Sequence, residues 1–332
     1  MHILRTTLRG LIKGLIWLAL ALGITWTFGA LWYDFPWSWA RHPLAIVFAL
    51  AAIVVLFRVK PLAKAQAGVA ATILLVICWW FTIPPQQERD WKPEVAQVAS
   101  GVMDGDRITI QNVRNFEYRT ESDFTPRYET RTYQLSQLRG MDLFANYWGS
   151  AAMAHPIVSF DFGDGGRLCF SIETRPEKGE GFSAIGGLYR QFELICIAAD
   201  ERDVVRVRTN YRKGEDVYLY HLNVTPEQAR NNFLEYLMTL NHLRSHPKWY
   251  NAITDNCTSA IRNQRLASER LPWDWRMLVN GYGDQMLYER GILDRSVPFE
   301  ELKRRGHANE RAKAADQSPD FSKLIREGVP GC

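Results

Sequence analysis

Two kinds of hydrophobic pattern divide the chain. Up to residue 83 the apolar residues come in long runs: Leu11–Trp32, broken only by Lys13, then Leu44–Phe57 and Ala67–Ile83. About 20 apolar residues suffice for a helix to cross a bilayer, so the pattern predicts spans near 11–32, 43–58 and 67–83. The middle run is short, and reads either as a span completed by its flanks or as a re-entrant segment. Two further apolar runs follow the first, and no small-residue cleavage site ends it, which argues against a removable signal peptide.

Beyond residue 83 the apolar positions are short and alternating. Residues 84–104, opening with Pro84-Pro85-Gln86, read as a linker. Arg107–Ile110, Phe116–Thr120 and Glu129–Leu135 alternate as strands do. Pro156–Phe162 and Arg167–Glu173, joined by Gly163-Asp164-Gly165-Gly166, form the clearest hairpin. Strands are expected at Gln191–Ala198 and Asp216–Leu222, with a polar strand at Val204–Arg208 between them. A helix should open at Thr225-Pro226-Glu227, where an N-cap precedes Pro at the first helical position, and run to about Arg244. The segment that starts at Cys257 and the one around Gly283–Arg290 also read as helical. Residues 296–332 are charged and poor in large apolar side chains, and read as a loosely attached tail. The soluble part, centred on 105–295, is therefore α+β with a largely antiparallel sheet.

Charge fixes the topology. Arg5, Arg9 and Lys13 precede the first span and Arg58, Lys60 and Lys64 sit between the second and third, whereas the loop between the first two carries only Asp34, Arg41 and His42 as acidic or basic residues. The positive-inside rule places the N-terminus in the cytoplasm and everything after Ile83 on the opposite side of the membrane. Trp32, Trp37, Trp39, Trp79, Trp80 and Trp91 suit the aromatic belts of such spans. Residues 1–83 hold seven Lys/Arg against one acid, so the formal +4 of the chain becomes −2 for the remainder. The basic excess thus belongs to membrane insertion, and no nucleic-acid footprint remains.

Five cysteines give no disulfide framework. Cys78 falls in the third span, Cys332 is the last residue, and Cys169 and Cys196 lie in apolar strands. Cys257 differs, because it follows the capping-rich Thr254-Asp255-Asn256 and opens a helical segment. Unpaired N–H groups and the macrodipole at a helix N-terminus favour the thiolate, the form that attacks acyl carbons. The alternative is a buried structural thiol. No CxxC, zinc-type His/Cys spacing or glycine-rich phosphate loop is present, and no metal or other cofactor is expected.

A thiol nucleophile needs a base. His307 lies in the charged segment, His242 and His246 flank a helix end, and His221 closes a strand. His155 opens the strongest strand, after Gly149-Ser150-Ala151-Ala152, small residues that permit close approach by another element. Glu173, on the returning strand, can orient that imidazole if the register puts both on one face. Ser159 and Asp161 share the strand face of His155 and are the alternatives. Asn256 reads equally as an oxyanion donor beside the Cys257 N–H or as a helix cap. The run Asp200-Glu201-Arg202-Asp203 reads as an ion-paired or solvated turn rather than as a metal site.

His on a strand followed by Cys on a helix is the reverse of papain order. It is that of circularly permuted papain-like folds, such as the lecithin–retinol acyltransferase family and NlpC-type peptidases. Asn112–Arg119, Ala154–Phe160, Ser171–Arg175, Ala199–Val204, Val217–Tyr220, Trp249–Asn251 and Asp255–Thr258, in that order, resemble the domain family named for the N-terminal periplasmic domain of Lnb, a bacterial lipoprotein N-acyltransferase. The resemblance covers roughly 105–295. It implies that Cys257 and His155 are the family's cysteine and histidine. It also implies that the cysteine takes an acyl group from phospholipid and passes it to a lipoprotein α-amine. A cysteine amidase or peptidase acting on the cell wall, and a non-catalytic envelope binding protein, are the other readings of the same residues.

Overall fold

A computed structural model describes residues 2–181, 183–252, 254, 272–277 and 279–332. The chain divides into two compact units.

The first unit comprises residues 1–86, 181–192 and 249–252. Its helices are α1 (His2–Asp34), α2 (Ser38–Arg58) and α3 (Leu62–Phe81). All three are long and apolar enough to cross a membrane, the middle one included at 21 residues. Leu20, Ala52, Leu56, Val69 and Ile73 form their common contact, while Leu15, Leu22, Val47, Leu50 and Leu75 face outward, as a lipid-exposed surface requires. The 181–192 segment joins this unit through Tyr189, which stacks on Tyr33 and fills the space left by Gly29, and through Arg190. The Arg190 guanidinium covers the Trp80 ring at 4.0 Å, and the Arg190 backbone N–H donates to Asp34.

The second unit is a mixed α+β body. Its sheet consists of β1 (Ser100–Asp104), β2 (Arg107–Arg114), β5 (Tyr128–Gln134), β6 (Gly140–Trp148), β7 (Ser150–Asp161), β8 (Arg167–Arg175), β9 (Glu193–Ala199) and β10 (Glu215–His221), with β3 (Glu117–Tyr118) and β4 (Phe124–Thr125) paired apart from it. The order is β1-β2-β9-β8-β7-β6-β10, with β5 also on β2. All its ladders are antiparallel except the single parallel pair Arg114↔Ala199. The hairpin at Gly163–Gly166 is present as expected, with Gly163 and Gly166 at φ +60° and +83°, where a Cβ would be strained.

Each face of the sheet has its own cover. On one, α5 (Pro226–Ser245) sets Phe233 and Tyr236 against Phe160, Phe162 and Phe170, with ring centroids 5.2–5.8 Å apart. A complete capping box starts this helix, Gln228 N–H donating to Thr225 Oγ1 and Thr225 N–H to Gln228 Oε1. On the other face lie α4 (Glu201–Val204) and the C-terminal helices α8 (Asn309–Ala314) and α9 (Phe321–Leu324), while α6 (Gly283–Glu289) follows the 280–282 turn and α7 (Phe299–Gly306) runs beside β10, its Lys303 donating to Asp284 of α6.

Two expectations need correction here. The 296–332 segment is not loosely attached: Ala308, Ala312, Phe321 and Ile325 are fully buried against Phe144, Ile157 and Leu219. Small and mid-sized apolar residues, spaced between charges, suffice to seat short helices on a sheet. Val204–Arg208 is not a strand either. Asp200 caps α4 by accepting from the Arg202 N–H, and a π-helical turn over Val207–Tyr211 follows.

Candidate functional site

The β7–β8 register assembles the site. Ile157↔Ser171 is the last pair of that ladder, and His155 and Glu173 each stand two residues beyond it on their strands. Side chains alternate with period two, so His155, Ser171 and Glu173 share one face. His155 Nε2 is 2.7 Å from Ser171 Oγ, and Ser171 Oγ donates to Glu173 Oε1 at 2.7 Å. The direct His155 Nε2–Glu173 Oε1 separation is 3.6 Å, so the hydroxyl bridges ring and carboxylate. In the tautomer that satisfies this chain, Nε2–H donates to Ser171, which directs Nδ1 to the opposite side of the ring.

The carboxylate is itself held. Arg208, from the π-helical turn, donates to Glu173 Oε1 at 2.9 Å and reaches Glu215 Oε2 at 3.4 Å; Asn146 on β6 donates to the same Glu215 oxygen at 2.7 Å. Burial alone pushes the Glu173 carboxyl up, but the Arg208 charge and His155 outweigh it and hold Glu173 well below the usual carboxylate range. Glu173 therefore stays ionised, ready to stabilise an imidazolium on His155. The edge of Trp148 faces the ring at 6.4 Å, and the histidine is 8% exposed.

The small residues before His155 do admit a neighbour. The 280–282 turn lies against Ala151 and Ala152 so closely that a Cβ on Gly281 would fall 2.1 Å from the Ala151 carbonyl oxygen. Ala154 N–H donates to Asn280 Oδ1 at 2.9 Å, and Tyr147 Oη donates to the Gly281 carbonyl at 2.8 Å. Glycine is required there by backbone approach, and the turn fixes the start of the histidine strand.

Of the sequence-derived site residues, His155 and Glu173 are brought together, whereas Cys257 and Asn256 lie outside the described residues. Both alternatives to Glu173 are engaged elsewhere: Ser159 donates to Glu201, and Asp161 pairs with Arg167 at 2.9 Å and accepts from Gly163 N–H. The 200–203 run is ion-paired. Asp200 meets Arg131, Glu201 meets Arg326, and Asp203 meets Arg114 and the Phe116 N–H. Cys169 and Cys196 are buried, and burial pushes both thiols up, away from reactivity.

Ser171, Arg208, Asn146 and Glu215 were not anticipated from sequence. Ser171 carried a usable signal, since it stands two residues from Glu173 on the same strand and therefore on the same face. Arg208 carried none, because a strand assignment aims it differently from the π-turn that actually presents it.

No curated protein and no solved structure matched the chain. A family model did match, over residues 124–281, a stretch that contains His155, Ser171, Glu173 and Arg208 as well as Cys257. Residues 124–281 match the Lnb N-terminal periplasmic domain, in a chain that has three helices long and apolar enough to cross a membrane among its described residues.

Proposed function

We propose that the protein is a cysteine acyltransferase anchored in the bacterial inner membrane, its thiol domain on the periplasmic side. Cys257 is the nucleophile, His155 the base, and Glu173 the positioning carboxylate acting through Ser171. The observation that carries this reading is the buried His155–Ser171–Glu173 chain within a family-matched segment whose one cysteine in a capping context is Cys257. The His-before-Cys order supports a circularly permuted papain-like arrangement, and the basic residues flanking the first three apolar runs support the topology.

In this mechanism the Cys257 thiol passes its proton to His155 Nδ1, and sulfur attacks the carbonyl carbon of a phospholipid ester. The C–O bond breaks, the lysophospholipid alkoxide takes the proton back from imidazolium, and an acyl thioester remains. A lipoprotein α-amine then attacks the thioester and forms an amide. Its proton goes to the departing thiolate through His155. Ionised Glu173 lowers the cost of each imidazolium interval. Asn256, with the Cys257 N–H, is the group nearest in sequence to serve the oxyanion.

The test is intact-protein mass spectrometry after incubation with phospholipid vesicles. A hydroxylamine-labile mass of one acyl group should appear on the wild type and vanish in Cys257→Ala. Persistence of the adduct when the amine acceptor is withheld indicates transfer, and rapid turnover in water indicates a hydrolase. No adduct and unchanged activity in Cys257→Ala would overturn both.

A further inference from the structure

We propose that the cavity beneath α5 and α6, on the sheet face opposite His155, holds one hydrocarbon chain of a lipid. The proposal rests on the acyltransferase reading and assigns that reaction a binding place for its apolar substrate.

The cavity measures about 610 Å³, within the ordinary range for ligand sites, and its lining is mostly apolar. Leu143, Ala145, Pro156 and Val158 form the floor, and Met286 and Leu287 form a wall. The floor follows from strand alternation: β6 and β7 turn Asn146 and His155 to one face and Ala145, Ala154 and Pro156 to the other. Between Met141 and Ala145, both lining residues, β6 advances about 13 Å at roughly 3.3 Å per residue, so the floor is elongated. The polar part of the lining includes Asn223, Gln228, Asn231, Glu235 and Asp284.

A second observation concerns the lip. Arg276 and Met277 line the cavity, and shortly before them in the chain Trp275 and Trp273 are 54% and 66% exposed. Tyr282, next to the lining residue Gly283, is 40% exposed and packs on Trp275 at 5.7 Å. Exposed tryptophan and tyrosine grouped at one opening is the composition favoured where protein meets lipid headgroups, and a clustered apolar patch of this kind marks an interaction site. Ala154 and Asn280, joined by their hydrogen bond, both belong to the lining. A chain in the cavity therefore lies against the residues that bracket His155, one strand thickness from the ring.

The experiment uses full-length protein in phosphatidylglycerol/phosphatidylethanolamine vesicles. The vesicles are doped with a phospholipid bearing a diazirine in one acyl chain or, separately, with a diazirine palmitic acid. After photolysis, digestion and mass spectrometry should find adducts on peptides spanning 141–158 and 283–292. Ala145→Phe, which fills the floor, should lower those adducts roughly tenfold, the size of effect steric overpacking produces, with labelling of the 1–81 peptides as the internal reference. If Ala145→Phe fails to fold, Leu143→Ala supplies the opposite arm and should keep or raise the labelling. Labelling by both probes, or by one alone, supports the proposal and tells whether the bound chain is esterified or free. Adducts confined to 1–81, or cavity adducts indifferent to Ala145→Phe, overturn it. Cavity labelling that persists in Cys257→Ala while no thioester ever forms on the wild type would retain the chain site and reject acyl transfer. A thioester without cavity labelling would do the reverse.

Discussion

Among the described residues, two histidine–carboxylate pairs have both members on strands of the sheet, and their difference shows why one of them suits chemistry. At one end His155 reaches Glu173 through Ser171. At the other, His221 Nδ1 meets Asp142 Oδ1 directly at 2.8 Å, with Cys332 close enough that the three ligand atoms lie within 4.8 Å of one another. By proximity alone the second set is the better Cys–His–Asp group. Its surroundings argue otherwise. Asp142 also accepts from Arg167 at 2.7 Å and Arg326 at 2.9 Å, and Arg326 continues to Glu201. A cation would have to displace two arginines there. Burial, followed by the charge of Asp142, pushes the Cys332 thiol up to about 12, so it stays protonated and weakly nucleophilic. Residue 332 also lies outside the 124–281 match. The Asp142 cluster fastens the C-terminal helices to the sheet, whereas in the Glu173 cluster the carboxylate, held by Arg208, faces one imidazole through Ser171.

The sharpest way to break this distinction is to exchange histidines. His155→Ala should lower acyl transfer by about 10²–10⁴-fold, the worth of a general base. His221→Ala should leave the rate within twofold or so and remove about 1–3 kcal/mol of stability by orphaning Asp142 Oδ1. Initial rates with a fluorescent phospholipid, paired with urea unfolding, separate the two. Equal rate losses would dissolve the contrast.

Arg326 tests the structural half next. It is buried between Asp142 and Glu201, and both carboxyls are held low: burial raises them, while His221 and Arg326 for Asp142, and Arg326 for Glu201, more than reverse this. Arg326→Met removes the common cation and leaves two buried carboxylates facing each other, at a cost of about 3–5 kcal/mol. Limited proteolysis should then open the chain after residue 296, where the wild type resists.

These two ends of the sheet were not equally legible. The hairpin, the capped helix and the His155/Glu173 pairing followed from alternation and spacing, which are local. β6 was missed because Asp142 and Asn146 interrupt its apolar pattern; a strand buried on both faces keeps polar residues only where partners distant in sequence, Arg326 and Glu215 here, satisfy them. The same long-range pairing hid the attachment of the C-terminal segment, whose charges look solvated until Asp142, Glu201 and Asp216 are placed beside Arg326 and His307. Arg208 depended on a π-turn that no propensity signals.

Acid should weaken the Asp142 end by a smaller amount. Its carboxyl is held at about 2 in the folded protein against 3.8 otherwise, so its contribution is complete above about pH 4 and is lost as pH falls toward 2. The difference corresponds to about 2 kcal/mol. Urea midpoints measured at pH 7, 4 and 2.5 should decline mainly over the last interval, and Asp142→Asn should flatten that decline. A decline centred near pH 6 would point to histidine instead.

Ser171 supplies the finest cut, because in the proposed mechanism it acts only through His155. Ser171→Ala removes the bridge and leaves His155 Nε2 facing Glu173 across 3.6 Å, too far for a good hydrogen bond but close enough for charge to act. The ring loses its fixed tautomer more than its electrostatic support. A rate loss of about tenfold, equivalent to one neutral hydrogen bond, is expected, smaller than that of His155→Ala. Ser171→Thr keeps the hydroxyl and should recover most of it. The pH dependence separates positioning from packing. If Ser171 orients the ring, the alanine variant should move the apparent pKa of the limb governed by His155, with the threonine variant restoring it. A hydroxyl that merely fills space would lower the rate at every pH alike, and Glu173 would then have to reach His155 by moving rather than through the serine.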